Sequence, residues 1–168
     1  MTFYISAIDI NNKAKVGQLF FDNWGSDRLV TRGRIHQFDK LDGFIAISGE
    51  KIIGVLTYKK DIDTIEVTSL DSFEKNKGIG TALLDRLVDY ATTNSIKRLW
   101  LITTNDNLNA LKFYQKRKWK MIKIHKDAVI KARKIKPSIP MKGNDNIEIR
   151  HEIELEYEFV PKNNSKRN

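Results

Sequence analysis

Between residues 62 and 91 the hydrophobic pattern changes period across a pair of glycines, and few folds accommodate such a switch. Ile62 to Leu70 is an apolar run of strand character. Beyond Gly78-Ile79-Gly80, the residues Ile79, Leu83, Leu84, Leu87, Val88 and Ala91 fall on one face of a helix. A Gly-rich turn between strand and helix aims several backbone N–H groups and the positive end of the helix dipole at one point. In Lys75-Asn76-Lys77-Gly78-Ile79-Gly80-Thr81, Gly78 and Gly80 remove side chains where a phosphate would approach, the lysines add positive charge, and Thr81 supplies a hydroxyl. The implied ligand is a phosphate or pyrophosphate, although the glycines alone fit a tight turn with no ligand equally well. The dinucleotide fingerprint lacks its third small residue here, and the GxxxxGK[ST] loop is absent.

The flanking patterns supply the rest of a fold. Residues 3 to 9 alternate like a short strand, and Val16, Leu19, Phe20 and Phe21 mark a helix over 12 to 24. A polar stretch centred on Gly25 follows. Gly43 to Ile47 and Lys51 to Tyr58 flank Ser48-Gly49-Glu50 as a hairpin. Arg98 to Thr103 is a nearly continuous apolar run, as in a strand covered on both faces, and Asn107 to Arg117 has helical spacing in Leu108, Leu111 and Tyr114. Lys118 to Ile124 reads as a strand. Glu152 to Val160 alternates Ile153, Leu155, Tyr157 and Phe159 with four glutamates, the pattern of a strand with one solvated face. Between these two lies a long connection with a short helix near 127 to 134; connections of such length often carry function. Residues 1–160 are expected to form one domain and 161–168 a disordered tail.

Composition bounds the chemistry. The chain has 168 residues and no cysteine, which removes disulfides, thiolate metal sites and a cysteine nucleophile. The net charge of +9 suits an anionic partner. The basic runs Lys116 to Lys120 and Lys131 to Lys136 lack the aromatic interleaving of single-strand readers, so a solvated basic surface is favoured over a nucleic-acid site. No basic segment precedes a long apolar run at the N-terminus, and no stretch approaches the roughly 18 apolar residues of a membrane helix. A cytoplasmic protein without membrane contact is expected.

Two motifs in order resemble the GNAT superfamily of N-acetyltransferases. Its acetyl-CoA loop reads [Q/R]-x-x-G-x-[G/A], matched by Lys75 to Gly80 except that Lys75 replaces Gln or Arg. An Asn seven residues before a Tyr on the next helix is matched by Asn107 and Tyr114. Lys118-Trp119 stands where Gly-Phe is usual, which puts the local backbone turn in question. Arg133 to Pro140 and Glu152 to Tyr157 look like a loosely characterised bacterial subgroup of that family.

The resemblance implies an α/β (α+β) fold, a mixed, largely antiparallel sheet of about six to seven strands flanked by helices. It implies acetyl-CoA as co-substrate and direct attack by a primary amine of a small molecule in a ternary complex. Acetylation of a protein N-terminus or lysine is the alternative with the same chemistry; a non-catalytic CoA or nucleic-acid binding module is the alternative without it. The cofactor would contact Lys75, Asn76, Lys77, Gly78, Ile79, Gly80 and Thr81, and its pantetheine arm would pair with the backbone of Thr68, Ser69 and Leu70, where side-chain identity matters little.

Asn107 would bond the pantetheine arm, cap the helix, or both. Tyr114 would protonate the departing thiolate, unless it merely packs under its helix. Glu66 would take the amine proton, with Asp71 as fallback, unless Glu66 faces solvent at a sheet edge. The acceptor would lie near Trp24, Ser26 and His36, with the 126–150 connection. His36, His125 and His151 lack metal-site spacing, so no metal is expected. A homodimer through edge strands is left open.

Overall fold

The computed structural model describes residues 2–25, 28–31 and 33–159. Ser26 and the 161–168 tail therefore lie outside the described residues, as does the side chain of Trp24. The elements run β1 (Tyr4–Ala7), α1 (Lys13–Trp24), β2 (Arg28–Thr31), β3 (Arg34–Gln37), β4 (Asp42–Ser48), β5 (Lys51–Lys60) and β6 (Thr64–Ser72). They continue with α2 (Ile79–Thr93), β7 (Arg98–Thr104), α3 (Leu108–Gln115), β8 (Trp119–His125), α4 (Ala128–Ile135) and β9 (Glu152–Tyr157). A seven-stranded sheet has the order β1-β4-β5-β6-β7-β9-β8, and β2 and β3 form a separate hairpin. Every pairing is antiparallel except β6 with β7, which α2 connects as a crossover. This is the mixed, largely antiparallel sheet with flanking helices expected from the sequence.

That parallel pair positions the site. The ladder runs from Thr64–Arg98 only to Val67–Leu101. Beyond it β6 stays with β5 to Ser72, while β7 stays with β9 to Thr104. The two central strands thus part company at their C-terminal ends and open a wedge. A bulge marks the same place: Tyr58 pairs with Val67 but Thr57 with Ser69, which leaves Thr68 as the extra residue.

Hydrophobic side chains cover both faces of the sheet. Leu83, Leu84 and Leu87 of α2 pack with Leu56, Ile65, Leu99 and Leu155 in one core cluster. Val16 and Phe20 of α1 pack with Leu29, Phe38, Ile45 and Val55 in another. Each fully buried leucine of α2 contributes about 1.5–3 kcal/mol relative to an exposed one, enough to hold the helix against the sheet without caps. The first turn of α2 sits close over β5, where a Cβ on Gly54 would fall 2.5 Å from Ile79 Cγ2. Glycine at 54 is what allows that approach.

The β2–β3 hairpin lies where the sequence shows only a polar stretch. Its ladder runs from Arg28–Gln37 to Thr31–Arg34, and Leu29 and His36 are its buried side chains. Each of its strands is only four residues long, too short to show a period-two alternation.

The solvated face expected for the last strand is corrected. Glu152 and Glu154 are 3% and 4% exposed. Glu154 is held by Arg98 and by His125 Nε2 at 2.5 Å, and Arg98 also donates to Glu156 at 3.0 Å. Period-two alternation identifies side chains that share a face, not what covers that face; partnered carboxylates can be buried.

Lys118 has φ 65°, the left-handed conformation that favours glycine. A lysine here takes the conformation that a glycine adopts without strain, and Trp119 behind it is buried in the core.

Candidate active site

The sequence-predicted cradle forms one wall of a cleft of about 660 Å³. Asn76 (φ 60°) and Gly78 (φ 76°) are both left-handed, which folds the loop into a concave run of backbone. The first intrahelical bond of α2 runs from Ala82 N to Gly78 O at 2.9 Å, so the N–H groups of Ile79, Gly80 and Thr81 precede it. Lys75 and Lys77 line the same cleft. A Cβ on Gly78 would meet nothing within 4 Å; its glycine is required by conformation and leaves the cleft open. Gly80 has another role than the sequence suggests: a Cβ there would make ordinary contact with the Phe113 ring at 3.5 Å. The Ile79 side chain is 1% exposed and belongs to the core, so only its backbone can serve a ligand.

The opposite wall comes from α3 through Asn109, Ala110, Phe113 and Tyr114, and from Arg117 beyond its end. Arg117 is a site residue that sequence reasoning missed, because the basic run around it reads as a solvated surface. Its Nε and Nη2 donate to Thr81 Oγ1 at 3.1 and 2.7 Å, and its guanidinium lies 3.8 Å from the Phe113 ring centroid. Among the described residues no carboxylate pairs with it. Thr81 Oγ1, accepting from Arg117, keeps its own hydrogen for an anion in the cleft.

The wedge between β6 and β7 holds a cavity of about 230 Å³, lined by Thr68, Ser69, Leu70, Thr103, Asn107 and Tyr114 among others. Asn107 caps α3: its Oδ1 accepts the Ala110 N–H at 3.2 Å. Thr57 Oγ1 lies 2.8 Å from Thr68 Oγ1 and 2.7 Å from Ser69 Oγ, and Thr57 is fully buried. The side chains at 68 and 69 therefore matter after all, since their hydroxyls fasten the bulge that starts the wedge.

Tyr114 lines both the cleft and the wedge and so stands where they meet. It is 8% exposed, and Phe113 and Trp119 lie against its ring at 5.2 and 5.5 Å between centroids. Burial, with a smaller contribution from the charge of Asp71, raises its phenol well above the usual tyrosine range.

Glu66 occupies the other face of β6. It is 5% exposed on a central strand, which removes the solvent-facing alternative. His36, itself 4% exposed, reaches over from β3 with Nε2 3.5 Å from Glu66 Oε1. His36 is thus brought to the candidate base, while His125 is taken by Glu154 and His151 Nδ1 accepts the Asp127 N–H at 3.0 Å. The described residues contain no group of three or more His, Asp or Glu that could hold a metal, and none of their helices is long and apolar enough to cross a membrane.

The long connection is fastened beside the wedge. Asn105 Oδ1 accepts the Arg150 and His151 N–H groups at 2.9 and 2.8 Å, and Asp106 Oδ2 accepts from Asn144 N at 3.0 Å. These two residues directly precede Asn107, so the connection and the start of α3 are fixed to one another.

The family model described as the acetyltransferase (GNAT) family matches residues 14–119, which span α1 through α3 and hold the loop, Glu66 and Tyr114. The uncharacterized protein YxbD of Bacillus subtilis (strain 168) is 42% identical over 144 residues, covering 85% of this chain and 91% of that protein. Among solved structures, the IAA acetyltransferase from Bacillus cereus ATCC 14579 aligns with a TM-score of 0.70 at 21% identity, over 94% of this chain and 100% of that one. A GNAT family acetyltransferase from Elizabethkingia anophelis, solved with acetyl-CoA bound, aligns with a TM-score of 0.67 at 21% identity, over 94% and 98% of the two chains.

Proposed function

The chain belongs to the acetyltransferase (GNAT) family, and from that premise we propose that it moves the acetyl group of acetyl-CoA to a primary amine of a small molecule by direct attack. The observation that carries this reading is that the cleft at the N-terminus of α2 and the wedge have Leu70, Ala110 and Tyr114 in common in their walls. The pyrophosphate takes the N–H groups of residues 78 to 81 with Lys75, Lys77, Thr81 and Arg117 around it. The pantetheine arm enters the wedge beside the backbone of Thr68 to Leu70, with the Asn107 amide as a further donor.

The amine nitrogen attacks the thioester carbonyl, the C–S bond breaks, and the amine proton passes to Glu66 directly or through water. Tyr114 gives its proton to the leaving sulfur and regains one from solvent, so the products are an amide and CoA thiol. Holding two reactants in attack geometry is worth about 7–11 kcal/mol, whereas each proton-transfer group adds about 10²–10⁴-fold. Positioning carries most of the rate.

Enclosure supports a small acceptor over a lysine on a folded protein, since His36 and Glu66 are only 4% and 5% exposed. The test begins with calorimetric titration by acetyl-CoA and CoA, followed by thiol release with a panel of small amines and of peptides. Micromolar cofactor binding with turnover of small amines upholds the reading. Turnover of peptides alone transfers it to protein acetylation, and absence of cofactor binding removes it.

A further inference from the structure

A second cleft of about 420 Å³ lies between the end of β8, the first turn of α4 and the β2–β3 turn at Gly33. It shares no lining residue with the cofactor cleft. Lys123, Lys126, Lys131 and His125 line it, with Glu152 as its one carboxylate.

The nearby negative groups are already engaged. His125 and Arg98 hold Glu154. Arg150 Nε lies 2.5 Å from Asp127 Oδ1 and holds that carboxyl below its usual range. Glu152 is 3% exposed and also has a partner. The three lysines differ: among the described residues none of them lies within ion-pair distance of a carboxylate. Asp127 precedes α4 without capping it through its side chain, so the N-terminal dipole adds positive potential on the same side. Like charges gathered around one concavity repel each other, and a bound anion relieves that repulsion.

We propose that this cleft is a second binding site, taking a small molecule with a carboxylate or phosphate group held by Lys123, Lys126 and Lys131. Because those side chains are exposed, charge reversal there leaves the fold intact.

The experiment is a titration of the full chain, saturated with CoA so that the first cleft is filled, with inorganic phosphate and with citrate, followed by amide chemical shifts. Saturable shifts confined to residues 123 to 131 and Gly33 are expected. In Lys126→Glu/Lys131→Glu, affinity should fall about tenfold or more, as for loss of charge-assisted hydrogen bonds, with acetyl-CoA affinity unchanged. Shifts that never saturate, that scatter over the basic surface, or that persist in the double variant overturn the proposal. A Lys131→Gln variant then separates two sources of the anion. A higher KM for carboxylate-bearing amines alone makes it part of the acceptor; a rate effect without competition makes it an effector, and either result upholds the site.

Discussion

His36 Nε2 lies 3.5 Å from Glu66 Oε1 across the gap between the hairpin and the sheet, with both side chains almost sealed from solvent. A carboxylate so enclosed can accept a proton from an amine delivered to it, and its histidine neighbour fixes its orientation. Glu66→Gln should lower kcat by about 10²–10⁴-fold, the usual worth of a general base, while calorimetry finds acetyl-CoA affinity unchanged. Retained turnover would leave the pair a packing role.

Tyr114→Phe keeps the ring stack and removes only the hydroxyl. Turnover should drop by about 10²-fold or more, with acetyl-CoA affinity little changed. Equal loss of both would make the tyrosine structural.

Buried tyrosines also set an alkaline limit to stability. Tyr58, Tyr114 and Tyr157 all have phenols raised above the usual tyrosine range, chiefly by burial. A raised folded-state pKa stabilises fully below the unfolded value and progressively less as pH climbs past it toward the folded one. Thermal melts should therefore hold steady up to about pH 10, the unfolded tyrosine value, and fall above it. A midpoint that declined well below that pH would point to other groups.

Gly78→Val should abolish acetyl-CoA binding, because the added branches enter open cleft at a residue with φ 76°. The strain of a left-handed β-branched residue costs about 1–2 kcal/mol, so a folded protein without cofactor affinity is expected from circular dichroism and calorimetry. Undiminished binding would detach the loop from the cofactor.

Lys118→Gly should stabilise. Relief of left-handed strain, about 1–2 kcal/mol, is partly offset by the extra unfolded-state freedom of glycine, about 0.5–1 kcal/mol. The net gain should raise Tm by about 2–4 °C for each kcal/mol in a chain of this size. An unchanged or lower Tm would mean that the lysine side chain contributes more than its backbone costs.

Much of this molecule is legible in residue order because the signals are local. The 3.6-residue spacing of α2 from Ile79 to Ala91 depends only on neighbours along the chain, as does the turn at Gly78. Motif spacing likewise pointed to Tyr114 and Asn107 together. The hairpin of β2 and β3 escaped notice because its strands are only four residues long, and the burial of Glu152 and Glu154 because their cover comes from elsewhere in the fold.

What the sequence by itself determined is most of the elements, the glycine turn before α2 and the family motifs, since hydrophobic period and glycine placement act over a few residues. Only the tertiary structure decided that β6 and β7 separate after Val67 and Leu101, that Arg117 grips Thr81 from 36 residues away, and that His36 meets Glu66. Such contacts follow from how sheet and helices pack against one another, and packing joins residues whose distance along the chain carries no trace of it.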